Sequence, residues 1–225
     1  MGDVVLGIET SCDETAVAVV ERAAVVRSSV VSSQVEQHAR FGGVVPEIAG
    51  RAHVQELVPV LAEALATAGV EGPDVEVVAA TTGPGLVGSL LVGVSAAKAL
   101  SLVWGVPFVS VNHLEAHLYA SFLEEPDLEL PLVVLLVSGG HTMLVLMEDH
   151  GRYRLLGSTL DDAAGEAFDK VARYLGLGYP GGPAIDALAA EGDGSAFDYP
   201  RSMVQENPDT LPDDRRYAFS FSGLK

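Results

Sequence analysis

Apolar and polar residues fall in short blocks along the sequence, and the blocks predict its elements. Val4-Val-Leu-Gly-Ile8 reads as a strand, Glu9-Thr-Ser-Cys-Asp-Glu-Thr15 as a polar turn and Ala16-Val-Ala-Val-Val20 as the returning strand. A third strand is predicted over Ala24–Val31. Pro46 suits the first turn of a helix running to about Gly69, with Ile48, Ala52, Leu57, Leu61 and Leu65 as its buried stripe. Val75–Thr82 predicts a buried strand, broken by Gly83-Pro-Gly85. An apolar helix over Leu86–Trp104, a buried strand over Pro107–Val111 and a helix over His113–Leu123 follow. Strands alternating with helices signal an α/β fold with a largely parallel core.

Glu124–Leu130 is an acidic, proline-containing linker, and beyond it the opening pattern returns. Strands are predicted over Pro131–Val137, Thr142–Met147 and Arg152–Ser158, with Ser138-Gly-Gly140 as a small polar turn. Two segments about 128 residues apart therefore share one plan, an internal duplication. Helices over Asp161–Leu175 and Ala184–Glu191 flank a Gly/Pro turn at Gly178–Pro183. A polar stretch then runs to Arg216, followed by a strand-like Tyr217–Phe221. The predicted division is a first lobe over 1–123, a linker over 124–130 and a second, incomplete lobe over 131–225.

Composition narrows the class. The protein has 225 residues, and 48% hydrophobic content supplies a sizeable core and excludes disorder. Thirteen Lys and Arg against 31 Asp and Glu give a net charge of −18, which argues against nucleic-acid binding by charge alone. The single cysteine, Cys12, excludes a disulfide framework and a four-cysteine zinc site. No basic stretch precedes an apolar one at the N-terminus, so no signal peptide is read and a cytoplasmic setting is expected. Ser89, Gly93, Ser95 and Lys98 make Leu86–Trp104 better suited to a buried helix than to a membrane span.

Several residues are candidates for chemistry. Thr10 and Ser11 in the first turn, with Ser138, Gly139 and Gly140 in the second, are expected to offer donors to an anion. His113 and His117 stand one helical turn apart on one face, a spacing that lets two imidazoles share a metal. Glu115 points well away from both, unlike the glutamate of a His-Glu-x-x-His protease. His38, His53 and His141 have no spacing that assigns them a ligand role. Asp13 and Glu14 would repel a bare phosphate and suit a site that holds a metal or handles an amine or a proton. Asp169 and Asp186 can accept hydrogen bonds from ribose hydroxyls, although on the residues alone solvated helix faces are the better explanation of such carboxylates. Cys12 has no basic neighbour in sequence to activate it. Gly83-Pro-Gly-Leu-Val-Gly88 reads as close packing of a helix on the sheet.

The motifs also carry a family resemblance. Gly7-Ile-Glu-Thr-Ser-Cys-Asp-Glu-Thr15, Glu47-Ile-Ala-Gly-Arg-Ala-His53, Thr82-Gly-Pro-Gly-Leu-Val-Gly-Ser-Leu90 and Asn112-His-Leu-Glu-Ala-His117 occur in order. Val137-Ser-Gly-Gly-His141, Gly165-Glu-Ala-Phe-Asp-Lys170, Tyr179-Pro-Gly-Gly-Pro183 and Phe219-Ser-Phe-Ser-Gly-Leu-Lys225 follow. Together they resemble the tRNA N(6)-adenosine threonylcarbamoyltransferases, once labelled O-sialoglycoprotein endopeptidases. Val35–Gly43 is similar to the bacterial branch. The resemblance implies an actin-like fold shared with heat-shock ATPases and sugar kinases. It implies transfer of threonylcarbamoyl from threonylcarbamoyl-adenylate to the exocyclic amine of the adenosine beside the tRNA anticodon. By position, it implies that His113 and His117 bind one divalent metal, iron ahead of zinc. Leu136, Val137, Ser138, Gly139, Gly140, Asp169, Gly182 and Asp186 would hold the adenylate, with Asp13 and Glu14 near the reacting centre. The implied partners are tRNA, a bacterial paralogous scaffold protein and an associated ATPase, with no membrane.

Family members continue for roughly another hundred residues, about a small domain's worth, carrying a third metal ligand. The expectation is therefore a C-terminally truncated polypeptide, inactive or poorly folded alone and weak in tRNA binding. Three alternatives stand beside the transferase. The length suggests a non-catalytic scaffold of the same complex, which would lack the paired histidines. The two hairpins suggest a sugar kinase or ATPase, where Glu9 replaces the usual Asp. A protease is disfavoured by Glu115.

Overall fold

The computed structural model describes residues 4–22, 24–199, 201–203 and 216–225. The fold divides into two compact units, Met1–Asp127 and Leu128–Lys225. Unit 1 is built on one mixed sheet. Strands β1 (Val4–Glu9), β2 (Glu14–Glu21) and β3 (Val25–Ser33) form an antiparallel meander, and β4 (Val77–Gly83) and β5 (Phe108–Asn112) extend it in parallel with β1. The spatial order is β3-β2-β1-β4-β5.

Period-two alternation explains the inner face. Leu6 and Ile8 of β1, Val17 and Val19 of β2, and Val78 and Ala80 of β4 are buried together. Each of the larger aliphatic groups contributes about 1.5–3 kcal/mol on leaving water. Helix α2 (Pro46–Ala68) starts at Pro46 and stops where Gly69 turns left-handed at φ 64°. Its buried stripe is Ala49, Ala52, His53, Leu57, Val60, Ala64 and Ala68, with Leu61 and Leu65 only flanking it. That is a rotation from the predicted stripe. Small residues take the centre because they let the helix axis approach the sheet.

Helix α3 (Val87–Trp104) corrects a second expectation, that of a buried helix. By length and composition it is apolar enough to cross a membrane. Only Ser89, Gly93 and Ala97 are fully buried, while Val87, Leu91, Leu102 and Val103 are exposed. The close-packing stripe is narrow because it consists of the helix's smallest residues. The apolar run of β5 predicts a buried strand, but β5 is the sheet edge and its Val109 is exposed. A short helix, α1 (Val35–Ala39), has no counterpart among the predicted elements. Helix α4 (His113–Glu124) follows β5 directly.

Unit 2 carries a second antiparallel meander, β6 (Leu132–Val137), β7 (Thr142–Asp149) and β8 (Arg152–Ser158), in that spatial order. Helices α5 (Ala164–Leu175) and α6 (Gly181–Ala189) pack together. Helix α5 begins three residues later than the pattern predicts, because Asp161 has another role. Its carboxylate accepts from Ser220 Oγ at 2.6 Å and from the N–H groups of Phe221 and Ser222 at 2.8 and 3.1 Å. The predicted strand Tyr217–Phe221 reduces to one parallel bridge, Thr159 with Phe219, before a turn of 3₁₀ helix over Ser222–Leu224. Binding to Asp161 bends the segment away from a strand course. Helix α6 starts earlier than predicted and takes in Gly181-Gly182-Pro183.

Candidate functional site

Three parallel strands of unit 1 end side by side, because Ile8 pairs with Ala80 and Gly83 with Asn112. Ligand chemistry in open α/β sheets collects at such carboxyl ends. Here the residues at those ends are Glu9 on β1, Thr81 on β4 and His113, which opens α4 after β5. Asn112 caps α4, its Oδ1 accepting from Leu114 N at 2.9 Å and Glu115 N at 3.3 Å. The cap places His113 in the first turn, and His117 follows one turn on. Their Nε2 atoms stand 3.1 Å apart. Two imidazole nitrogens that close share a hydrogen bond or can together hold one cation. No group of three His, Cys, Asp or Glu suited to a metal occurs among the described residues, so the pair supplies two donors.

Glu9 connects the strand ends. Its carboxylate accepts from Thr81 Oγ1 at 2.6 Å and from Ser11 N–H, and its Oε2 lies 3.3 Å from His113 Nδ1. Partial burial pushes this carboxyl up, but hydrogen bonds from His113, Ser11 and Thr81 outweigh burial and hold it at about 2. In the sequence Glu9 stands out only as a departure from kinases. Its contact with His113 spans 104 residues, and only strand pairing reveals it.

The first turn does not meet the anion expectation. Ser11 N–H donates to Glu9, and Ser11 C=O accepts from Leu86 N at 2.8 Å. Thr10 Oγ1 donates to Ser89 C=O at 2.8 Å, and both Thr10 and Ser11 are buried. A Cβ at Gly85 would sit 2.6 Å from Ser11 O, so the Gly83–Gly88 motif packs the start of α3 onto this turn. Helix packing and Glu9 therefore occupy the groups that an anion would need.

Asp13 lies in the same turn, and its backbone C=O accepts from Gln34 N at 2.9 Å. Glu14 opens β2 and is exposed. Cys12 is exposed at the surface, yet partial desolvation of its thiol, with the Asp13 and Glu9 carboxylates beside it, pushes it up to about 12, which leaves it a neutral thiol.

His38 and His53 belong to a separate buried run of hydrogen bonds. Val45 N–H donates to His38 Nδ1 at 3.3 Å, so His38 Nε2–H faces Gln34 Oε1 at 3.2 Å. Gln34 Nε2 then donates to His53 Nδ1 at 3.3 Å, beside Thr15 Oγ1 at 2.7 Å. His53 Nε2–H ends the run on Cys12 C=O at 3.0 Å. Both rings act as struts tying α1 and α2 to the first turn, and burial lowers the pKa of His53.

In unit 2 the turn Ser138–His141 is more open. Ser138 N–H donates to His141 C=O at 2.8 Å, and His141 N–H returns to Ser138 Oγ at 3.0 Å. Gly139 and Gly140 are exposed, and a Cβ on either would meet nothing within 4 Å. Leu136 is buried in β6, so its side group serves the core and only its backbone is available to a ligand, whereas Val137 is exposed. The start of α5 lies against this turn: Gly165 N–H donates to Ser138 C=O at 3.2 Å, and a Cβ there would sit 2.7 Å from that oxygen. Asp169 Oδ1 accepts from Gly181 N–H at 2.7 Å, which positions Gly182 in the first turn of α6. Asp186 lies on α6. A cavity of about 490 Å³ in unit 2, lined by Leu144, Met203, Tyr217 and Phe219 among others, includes none of these residues.

Comparison with known proteins places these features. Curated tRNA N6-adenosine threonylcarbamoyltransferases of Caldicellulosiruptor saccharolyticus and Moorella thermoacetica are each 57% identical over 221 residues, 98% of the present sequence. That span covers 63% and 62% of their respective lengths. The relative from Symbiobacterium thermophilum is 58% identical over the same span and 62% covered. A crystal structure of a Pseudomonas aeruginosa protein described as similar to peptidase YEAZ matches 68% of this protein and 63% of its own length at 19% identity. Its TM-score of 0.46 is too low to speak about function. The model of the family TsaD, tRNA N6-adenosine threonylcarbamoyltransferase, matches residues 25–225, and the protein belongs to that family.

Proposed function

We propose that this polypeptide holds the donor-binding and metal-binding parts of an enzyme that transfers threonylcarbamoyl from threonylcarbamoyl-adenylate to the exocyclic amine of a tRNA adenosine beside the anticodon. The observation that carries the reading is the pair of imidazole Nε2 atoms 3.1 Å apart at the ends of three parallel strands. A non-catalytic scaffold has no use for that pair. The duplicated antiparallel meander, β1–β3 and β6–β8, supports an actin-like architecture of two related lobes.

His113 and His117 would hold the metal, iron ahead of zinc. When bound, it supplies a Lewis acid toward the carbamoyl carbonyl. The protein's own residues do the rest. Ser138, Gly139 and Gly140 give the adenylate a turn whose glycines leave the approach open, and Leu136 and Val137 lead the backbone to it. Asp169 holds the start of α6, so Gly182 and Asp186 present backbone and carboxylate groups to the nucleoside. Asp13 and Glu14 are the carboxylates nearest in sequence to Glu9 and are assigned the amine's proton. The adenylate arrives activated, so no covalent enzyme intermediate is required.

Partner proteins complete the picture. At a net charge of −18 the basic surface for tRNA comes either from partners, a paralogous scaffold and an associated ATPase, or from a local arginine cluster such as Arg215–Arg216, in the cytoplasm and away from membranes. Val54 and Val58 on α2, and Val87 and Leu91 on α3, are exposed apolar groups of the kind a protein partner covers. The test is nucleoside mass spectrometry of tRNA incubated with threonylcarbamoyl-adenylate and the complete complex. Wild type yields threonylcarbamoyladenosine, and His113→Ala and Gly140→Val each reduce it at least roughly tenfold. Undiminished product from His113→Ala overturns the metal assignment.

A further inference from the structure

We propose that Glu9 is the positioning residue of the histidine pair. Its carboxylate fixes His113 as the Nδ1–H tautomer and leaves the Nε2 lone pair facing His117 Nε2. The inference deepens the metal reading and rests on it for its consequence in affinity.

Counting donors and acceptors locates the proton. A carboxylate only accepts hydrogen bonds. Glu9 Oε1 receives Ser11 N–H, and Oε2 receives Thr81 O–H at 2.6 Å while lying 3.3 Å from His113 Nδ1. The proton in that last contact must belong to the imidazole. Ser11 Oγ, 3.2 Å from the same Nδ1, offers a second acceptor. A neutral imidazole carries one proton, so Nε2 is then bare, as metal ligation requires. Glu9 cannot readily turn away, because β1 supplies its backbone, β4 supplies Thr81, and the turn supplies Ser11. Three strand ends thus aim one ring.

Glu9→Gln discriminates sharply. The amide still accepts from Ser11 N–H with its oxygen, but presents N–H to His113 Nδ1. That forces the ring to the Nε2–H tautomer and removes the lone pair. The experiment is ¹⁵N imidazole spectroscopy of the full-length protein at about pH 8, where histidine is neutral, with titration of Co²⁺ alone. Wild type shows His113 protonated at Nδ1. Glu9→Gln shows it protonated at Nε2 and binds Co²⁺ about 10–100-fold more weakly, with the melting curve of the metal-free protein retained. Thr81→Val keeps the carboxylate and shows a smaller loss.

An Nε2–H tautomer in wild type overturns the proposal, as does Glu9→Gln with wild-type tautomer and affinity. If Glu9→Gln does not fold, the wild-type tautomer decides alone. Wild type that fails to bind Co²⁺ yet holds Nδ1–H overturns the metal reading and leaves the positioning role standing.

Discussion

The turn at residues 10–13 and its counterpart at Ser138–His141 start from one strand-turn-strand plan and end in opposite conditions. In the first, Thr10 and Ser11 are buried and hydrogen-bonded to the start of α3 and to Glu9. In the second, the two glycines are exposed, with space around each Cβ position. A repeated pattern therefore does not guarantee a repeated function. The helix that follows takes up the Thr10 hydroxyl at the first turn, whereas at the second it meets Ser138 C=O and leaves both glycines exposed. In unit 1 the helix packs on the turn, and Glu9 of the preceding strand reaches His113 instead.

Substitution of the glycines separates the two turns most sharply. A Cβ on Gly93 would overlap the Thr10 hydroxyl. Gly93→Ala should cost about 1–3 kcal/mol in urea unfolding by overpacking. Gly140→Ala, with open space around it, should stay within about 0.5 kcal/mol. Equal losses would break the comparison. Thr10→Val keeps the side-group volume but removes the bond to Ser89 C=O, an expected loss of about 1 kcal/mol.

Acid should also act unequally. His53 has its pKa lowered from 6.5 by burial, so the unfolded state takes up its proton first. Its contribution is complete above about pH 6.5 and is lost as pH falls below that toward the folded value. Denaturation curves between about pH 7 and 5 should show declining stability in wild type and a shallower slope in His53→Gln. An unchanged slope would remove His53 as the cause. In unit 2, bonds from Ser220, then Phe221 and Ser222, hold the Asp161 carboxyl at about 2 against the small opposing effect of burial. Its contribution is present above the ordinary value of 3.8 and fades as pH falls toward about 2. The smallest expected effect is local: Asp161→Ala should speed hydrogen exchange at the Phe221 and Ser222 amides with little change in global unfolding.

Much of the candidate site is legible without the fold. The four-residue spacing of His113 and His117 needs only a helix to bring two rings together, and α4 provides it. Ser138-Gly-Gly140 is legible as a small polar turn by composition, but its exposure is not. Thr10 and Ser11 mislead because a small polar turn reads the same whether its donors face a ligand or a neighbouring helix. The α2 stripe is displaced for a related reason. Periodicity locates a face, but which of its flanks meets the sheet depends on where Ala and Gly allow close approach. Arg216 is exposed, and its neighbour Arg215 lies outside the described residues.

Local pattern alone settles most of the strands and helices, the repeated meander and the histidine pair, because each depends on contacts within a few residues. Tertiary structure decides the rest. Glu9, Thr81 and His113 meet only because β1, β4 and β5 run parallel and end together. Likewise, Asp161 anchors residues 220–222, some sixty positions away. Hydrogen bonds across such separations depend on strand order and helix approach, neither of which leaves a periodic trace in the sequence.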